Sequence, residues 1–130
     1  MRDHDEKVPA RDFGPVSAER MKTMAAILQD PNPIHWDVEV VRRLGMGDRQ
    51  VNQGPINMSF LVNTITGWTD DPGALASLTI RYQANVFAGD MVHCEATVES
   101  AAEGTAVLSL VETVGESPVI TGSASVRLRR

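Results

Sequence analysis

The segment around which the chain is organised reads Asp30-Pro31-Asn32-Pro33-Ile34-His35-Trp36-Asp37. Its two prolines bias the preceding residues, Asp30 and Asn32, towards extended backbone, so an α-helix is not expected here. An Asp and a His held close together can act as a general acid/base pair, because His has the unperturbed pKa nearest neutrality. The spacing also fits a Pro-rich turn with an Asx cap and an incidental His35. Spacing alone leaves both interpretations open.

Helical patterns lie on both sides of this segment. Ser17 is a favoured N-cap residue, and apolar side chains recur after it at helical spacing, which predicts a helix over residues 18–28. Asp37 can cap a second, short helix over residues 38–44. The segment is therefore predicted to be a turn between two helices, with Asp30 at the exit of the first.

A longer and more apolar helix is predicted further along the chain. Pro55 suits the first helical position, because its missing N–H would have no acceptor there. The helix is predicted to run from Pro55 to about Gly67, and apolar side chains recur along it at helical spacing: Ile56, Phe60, Leu61, Ile65 and Trp68. We therefore expect this helix to be buried on most sides.

The second half of the chain changes to the alternation of apolar and polar residues that is typical of strands. Strands are predicted at about residues 78–82, 91–98, 106–114 and 118–128. Short turns that contain glycine separate them, which predicts an antiparallel meander. Residues 8–16 contain prolines and can form at most a short edge strand. One α+β domain is predicted over residues 1–130, with residues 1–7 frayed.

Composition narrows the class of protein. The chain has 130 residues, of which 42% are hydrophobic, as expected of a soluble globular protein with one core. A net charge of -5, with no basic stripe, argues against nucleic-acid binding. A single cysteine, Cys94, excludes an intrachain disulfide, and three histidines give a zinc site little support. With no apolar run long enough to span a membrane and no secretory signal, a cytoplasmic location is expected.

The segment at 30–37 closely resembles the signature of the MaoC-like, hydratase-2 family of hot-dog proteins. This family comprises (R)-specific enoyl-thioester hydratases and 3-hydroxyacyl-thioester dehydratases. Residues 67–74, Gly-Trp-Thr-Asp-Asp-Pro-Gly-Ala, and the strand-like residues 78–82 are similar to the family segment after the central helix, especially in mycobacterial dehydratase subunits of fatty-acid elongation. The resemblance covers about Ser17 to the C-terminus. It implies a hot-dog domain, with a curved antiparallel sheet wrapped around a long central helix.

The same resemblance implies roles for individual residues. Asp30 and His35 match the pair that holds and activates one water, which adds across the C2=C3 bond of a trans-2-enoyl thioester; dehydration is the reverse reaction. Gly54 matches the backbone donor to the thioester oxygen, and Asn32 is expected to hold the turn that aims His35. The substrate would be an acyl thioester of CoA or of an acyl carrier protein. No metal and no cofactor is implied, and a homo- or heterodimer with another hot-dog domain is expected.

The sequence departs from the family pattern beside the motif. Many members carry His-Gly-Met where this chain has Gln53-Gly54-Pro55, and Gln cannot carry a positive charge. Asn57 can share a helical face with Gln53, so both are assigned to substrate binding with Gly54. Asn57 either contacts a polar acyl chain or bonds neighbouring loops, and both alternatives stay open. These changes favour a shifted substrate or a need for a partner subunit over a loss of activity.

Two other functions compete with the enzyme. The first is a noncatalytic hot-dog subunit that shapes the acyl tunnel of a heteromeric dehydratase. The second is a hot-dog thioesterase, which the motif does not specifically indicate. Because Asp30 and His35 are both retained, the sequence favours the hydratase or dehydratase.

Overall fold

Capping residues decide where the first helices of this protein begin. In the computed structural model, which describes residues 7–128, the Ser17 side chain accepts a hydrogen bond from the backbone N–H of Arg20 and opens α1 (Ala18–Leu28). The Asp37 side chain likewise accepts from a backbone N–H two residues on and opens α2 (Val38–Arg43). Both helices match the predicted ranges to within one residue. The predicted frayed start falls almost wholly outside the described residues.

The central helix, α3 (Gly54–Thr69), begins one residue earlier and ends two residues later than predicted. Pro55 therefore occupies the second helical position instead of the first. Leu61, Ile65 and Trp68 are buried against the sheet, whereas Asn63 and two other positions are exposed, so one side of the helix faces solvent. None of the helices in residues 7–128 has the length and apolarity that crossing a membrane requires.

Five strands form one antiparallel sheet in the order β1-β3-β4-β5-β2. Their bounds are β1 (Arg11–Phe13), β2 (Leu75–Tyr82), β3 (Val92–Ala102), β4 (Thr105–Val114) and β5 (Ser117–Arg127). The turn between β3 and β4 has two residues, Glu103 and Gly104, both with positive φ, as a tight hairpin requires. The sequence correctly predicted the β3–β4 and β4–β5 hairpins and the short edge strand β1.

The predicted meander is wrong for β2, which pairs with β5 instead of β3. The chain between β2 and β3 crosses the sheet from its β2 edge to β3, which lies next to β1 at the opposite edge. On the way, Phe87 forms a β-bridge with Val51, and the Asn52 N–H donates to the Val86 carbonyl. This crossover therefore holds the segment that leads into α3.

The sheet curves around α3, because both of its edges contact the same helix. At one edge the Arg11 guanidinium donates to the Asn63 carbonyl at 3.1 Å, and at the other the Tyr82 hydroxyl donates to the Gly54 carbonyl at 2.8 Å. In β5, a Cβ on Gly122 would lie 2.3 Å from the carbonyl oxygen of a residue on β2, so only glycine permits this close strand approach. The architecture confirms the expected α+β fold, a curved sheet around a long helix.

One carboxyl group, that of Glu112 on β4, lies inside the core. The residue is fully buried, its Oε1 lies 3.6 Å from the Cys94 sulfur, and its Oε2 has no hydrogen-bond partner among the described residues. Burial raises the pKa of Glu112 from 4.5 to about 8, because an uncompensated charge is poorly solvated there. Burial and the nearby Glu112 carboxyl also raise the pKa of the Cys94 thiol.

We expect Glu112 to make folding stability depend on pH. The folded protein binds this proton more tightly than the unfolded chain, so the contribution is complete below pH 4.5 and is lost as the pH rises to about 8. The side chain in Glu112→Gln stays neutral at every pH. The free energy of unfolding of this variant should therefore exceed that of wild type by on the order of 2–5 kcal/mol at pH 8.5, but not at pH 4.5. Urea denaturation at both pH values measures this difference. Glu116→Gln, in an exposed turn, is the control. If the free energies of unfolding of Glu112→Gln and wild type differ by the same amount at both pH values, the prediction is wrong.

Candidate active site

The segment 30–37 forms one short 3₁₀ turn, Pro33–His35, where the sequence predicted no α-helix. Asn32 caps this turn, since its side chain accepts a hydrogen bond from the Ile34 N–H at 3.2 Å. Asp30 Oδ1 in turn accepts from the Asn32 N–H at 3.0 Å. Two consecutive Asx interactions thus hold the backbone between Asp30 and His35 in one conformation.

The turn brings Asp30 and His35 together. His35 Nε2 lies 3.0 Å from Asp30 Oδ2, and His35 Nδ1 lies 2.6 Å from the carbonyl oxygen of Val51. The His35 side chain is 8% exposed, whereas the Asp30 side chain is 31% exposed. The pair is therefore anchored on its buried side and open to solvent on the carboxylate side.

The contacts of the ring determine where protons lie. A carbonyl oxygen only accepts, so the bond to Val51 requires the proton on His35 Nδ1. The other nitrogen then faces a carboxylate, and a hydrogen bond between them needs a second proton shared by His35 Nε2 and Asp30 Oδ2. Such a pair presents an acid and a base at one place. Addition of water to a double bond requires both.

The first turn of α3 offers a free backbone donor. The N–H of Gly54 has no protein acceptor within residues 7–128, Pro55 has no N–H, and the N–H of Ile56 already donates to the Gln53 carbonyl. The positive end of the helix dipole lies at the same place. Gly54 therefore presents the one unused N–H among these three residues, which suits an anionic oxygen.

Gln53 makes its main contact with protein. Its side chain is 1% exposed, and its Nε2 donates to the carbonyl of Met21 on α1 at 2.9 Å. Its Oε1 is buried and has no partner among the described residues. The structure thus gives Gln53 a contact that joins α1 to the start of α3.

Asn57 and Asn52 form a buried pair beside Gly54. Asn52 Nδ2 donates to Asn57 Oδ1 at 2.7 Å, and both side chains are almost fully buried. Two cavities meet at this pair. One, of about 400 Å³, contains Gly54 and Asn57 in its wall, the other, of about 390 Å³, contains Ile56, and Asn52 borders both.

Three residues of the site were missed by the sequence reasoning. Val51 supplies the acceptor for His35, Asn52 orients Asn57, and Tyr82 contacts the Gly54 carbonyl. No sequence signal marks Asn52, because most of the residues just before α3 are polar. Tyr82 falls in the strand predicted at about residues 78–82, is 50% exposed, and carries no sequence signal for its contact with Gly54.

Comparisons with known proteins place this geometry in context. The family model described as MaoC like domain matches residues 2–119. No curated protein matches the sequence. Among solved structures, a MaoC-like dehydratase is 21% identical with a TM-score of 0.88 over 95% of this chain, which spans only 40% of that protein. The (R)-hydratase from A. caviae involved in PHA biosynthesis is 22% identical with a TM-score of 0.82, over 95% of this chain and 97% of its own. A chain of the ChsH1-ChsH2 complex from Mycobacterium tuberculosis is 16% identical with a TM-score of 0.82, over 95% of this chain and 96% of its own.

Proposed function

The chain belongs to the MaoC-like domain family, and from that premise we propose that it catalyses the (R)-specific hydration of trans-2-enoyl thioesters or the reverse dehydration. The observation that carries the proposal is the contact of both His35 nitrogens. One lies 2.6 Å from the Val51 carbonyl oxygen, and the other lies 3.0 Å from Asp30 Oδ2. This arrangement supports acid/base chemistry, because it holds an imidazole in contact with a carboxylate that is partly open to solvent.

In the hydration direction, one water binds against Asp30 and His35. The base of the pair takes a proton from this water while the water oxygen adds to C3. The acid of the pair delivers a proton to C2, so atoms balance and the pair regains its starting protonation state. In dehydration the same groups remove a proton from C2 and protonate the leaving hydroxyl at C3.

Negative charge develops on the thioester oxygen while water adds. We propose that the unused N–H of Gly54 donates to this oxygen and that the α3 dipole assists it. Asn57 lies in the same cavity wall and supplies a second polar contact to the substrate. Gln53 acts through position, because its bond to Met21 holds the segment that carries Gly54.

We further propose that two hot-dog domains associate. β1 has three residues and leaves one edge of the sheet nearly uncovered, and β2 forms the other edge. Partner domains of this kind exist among the structural neighbours, since one of them is a complex of ChsH1 with ChsH2. The second domain is a copy of this chain or a related chain.

A noncatalytic subunit is the second candidate function. It is favoured by Gln53, which stands where many family members have His and directs its amide nitrogen into the protein. In that case this chain would shape the acyl site of a catalytic partner. The retained Asp30–His35 contact argues for the enzyme.

Product analysis tests the proposed function. With a trans-2-enoyl-CoA, we expect loss of the conjugated absorbance and formation of an (R)-3-hydroxyacyl thioester whose thioester bond is intact. Release of free thiol would instead indicate a thioesterase. If the isolated chain is inactive but activates a partner whose own Asp and His are needed, the chain is a noncatalytic subunit.

A further inference from the structure

The backbone of Val51 contacts the segment 30–37 at two places. Its N–H donates to the Ile34 carbonyl at 2.9 Å, and its own carbonyl oxygen lies 2.6 Å from His35 Nδ1. The backbone and the ring of neighbouring residues are thus held by one residue. Any shift of Val51 therefore moves the acceptor of the His35 ring.

The residues on either side of Val51 bond to the crossover between β2 and β3 instead. The Ala88 N–H donates to the Gln50 carbonyl at 2.9 Å. The Asn52 N–H donates to the Val86 carbonyl at 2.7 Å. This alternation is the pattern of an antiparallel strand pair. The position of the Val51 carbonyl is therefore fixed by the position of the crossover.

Two charged side chains, Arg49 and Asp90, hold the crossover against this segment and are called the crossover pair below. Arg49 Nη1 lies 2.8 Å from Asp90 Oδ1 and also donates to the Ala88 carbonyl at 3.0 Å. Asp90 Oδ2 accepts from the Phe87 N–H at 2.9 Å, and the guanidinium lies 5.3 Å from the centre of the Phe87 ring. The Asp90 side chain is 11% exposed, so water and salt screen this ion pair less than a surface pair.

We propose that the crossover pair positions the His35 imidazole through the Val51 carbonyl, so that Arg49 and Asp90 are positioning residues of the acid/base site. The proposal rests on the proposed function, in which His35 handles the protons of the reaction. Neither member of the pair lines the two cavities that border the first turns of α3. The pair therefore acts on the ring and its proton, and not on the binding of substrate.

The proton on His35 Nδ1 depends on the Val51 acceptor, because the contacts of an imidazole decide which nitrogen carries a proton. When the crossover pair is broken, residues 50–52 lose one of their attachments and the acceptor moves away from Nδ1. A ring with a single proton then keeps it on Nε2, facing Asp30, since a carboxylate only accepts. The ring also loses part of its orientation, and a small misplacement of a reacting group is enough to lower turnover.

The ¹⁵N NMR shifts of the His35 ring test the proposal without any reaction. The shift of a ring nitrogen reports whether it carries a proton, and His35→Asn identifies the signals of this ring among the three histidines. Nδ1 should be protonated in wild type, and its shift should move towards that of an unprotonated nitrogen in Asp90→Asn and in Arg49→Gln. Arg42→Gln, which removes an exposed ion pair with Glu39 on α2, is the matched control and should leave the shift unchanged.

Each result of this measurement decides the proposal. An unprotonated Nδ1 in wild type, or an unchanged shift in both variants, would overturn it. If Asp90→Asn does not fold, Arg49→Gln carries the test alone, because the Arg49 side chain is 49% exposed and its replacement leaves no buried cavity.

Kinetics separates this proposal from the proposed function. Asp90→Asn and Arg49→Gln should each lower kcat for hydration about tenfold and change KM by less than about twofold. The turnover of the double variant should lie within about threefold of that of the less active single variant, because the two groups form one pair. A raised KM with unchanged kcat would overturn the positioning role while the hydratase stands. If wild type hydrates no thioester but Nδ1 responds to both variants, the proposed function fails and the positioning of His35 stands.

Discussion

Asp30→Asn and His35→Asn should each lower turnover by at least about 100-fold, the usual contribution of a general acid or base. The Asn that replaces Asp30 keeps an acceptor for the Asn32 N–H but cannot exchange a proton. The Asn that replaces His35 removes the ring that joins Asp30 to the Val51 carbonyl. Hydration of an enoyl thioester, followed by its absorbance, measures both variants.

Asp37→Asn is the matched control in the same segment. Asp37 caps α2 through the Glu39 N–H, and Asn is an equally good cap. Its turnover should stay within about threefold of wild type. If Asp30→Asn and His35→Asn also stay within that limit on an active wild type, the acid/base assignment is wrong.

Gly54→Val should lower turnover by about 100-fold or more, the typical effect of losing one donor to a developing oxyanion. A Cβ at this position would lie 3.2 Å from the Tyr82 hydroxyl oxygen, so a branched side chain forces the ring aside and crowds the N–H. Because Gly54 has no positive φ, the helix itself tolerates the change. Turnover and thermal unfolding of the same variant separate catalysis from folding.

Tyr82→Phe distinguishes the lost donor from a disturbed tyrosine. It removes the hydrogen bond to the Gly54 carbonyl but leaves the backbone N–H and the ring in place. We expect a loss of at most about tenfold, as for one peripheral hydrogen bond. Normal turnover in Gly54→Val would show that another donor serves the thioester oxygen.

The helices could be predicted from the sequence because their signals are local. Ser17 and Asp37 cap helices through contacts three and two residues away, and each predicted range matches to within one residue. α3 differed at its ends, because Gly54 already has helical backbone ahead of Pro55. Such terminal turns depend on contacts outside the helix, here with Tyr82.

The pairing of β2 depends on contacts distant in sequence. Gly89-Asp90 resembles a hairpin turn, and Asp90 does accept from the Phe87 N–H, but this turn lies within a crossover. The crossover is held by Val51 and by an ion pair of Asp90 with Arg49 at 2.8 Å. Alternation of side chains defines a strand and does not identify its neighbour.

The site divides in the same way. The motif, through its resemblance, predicted Asp30, His35 and Gly54 as the chemically active positions, and that assignment stays a prediction. It could not identify the partners of these groups, because Val51, Asn52 and Tyr82 approach from other parts of the chain. A backbone carbonyl such as that of Val51 has no sequence signature at all.

The central claim is that Asp30 and His35 serve one water as a single unit. The measurement that tests it most directly is the turnover of the Asp30→Asn/His35→Asn double variant beside both single variants, with the native partner present if one is needed. The effects of groups that act as a unit are not additive, so the turnover of the double variant should lie within about threefold of that of the less active single variant. Losses that multiply, to about 10⁴-fold, would show two independent roles and contradict the claim.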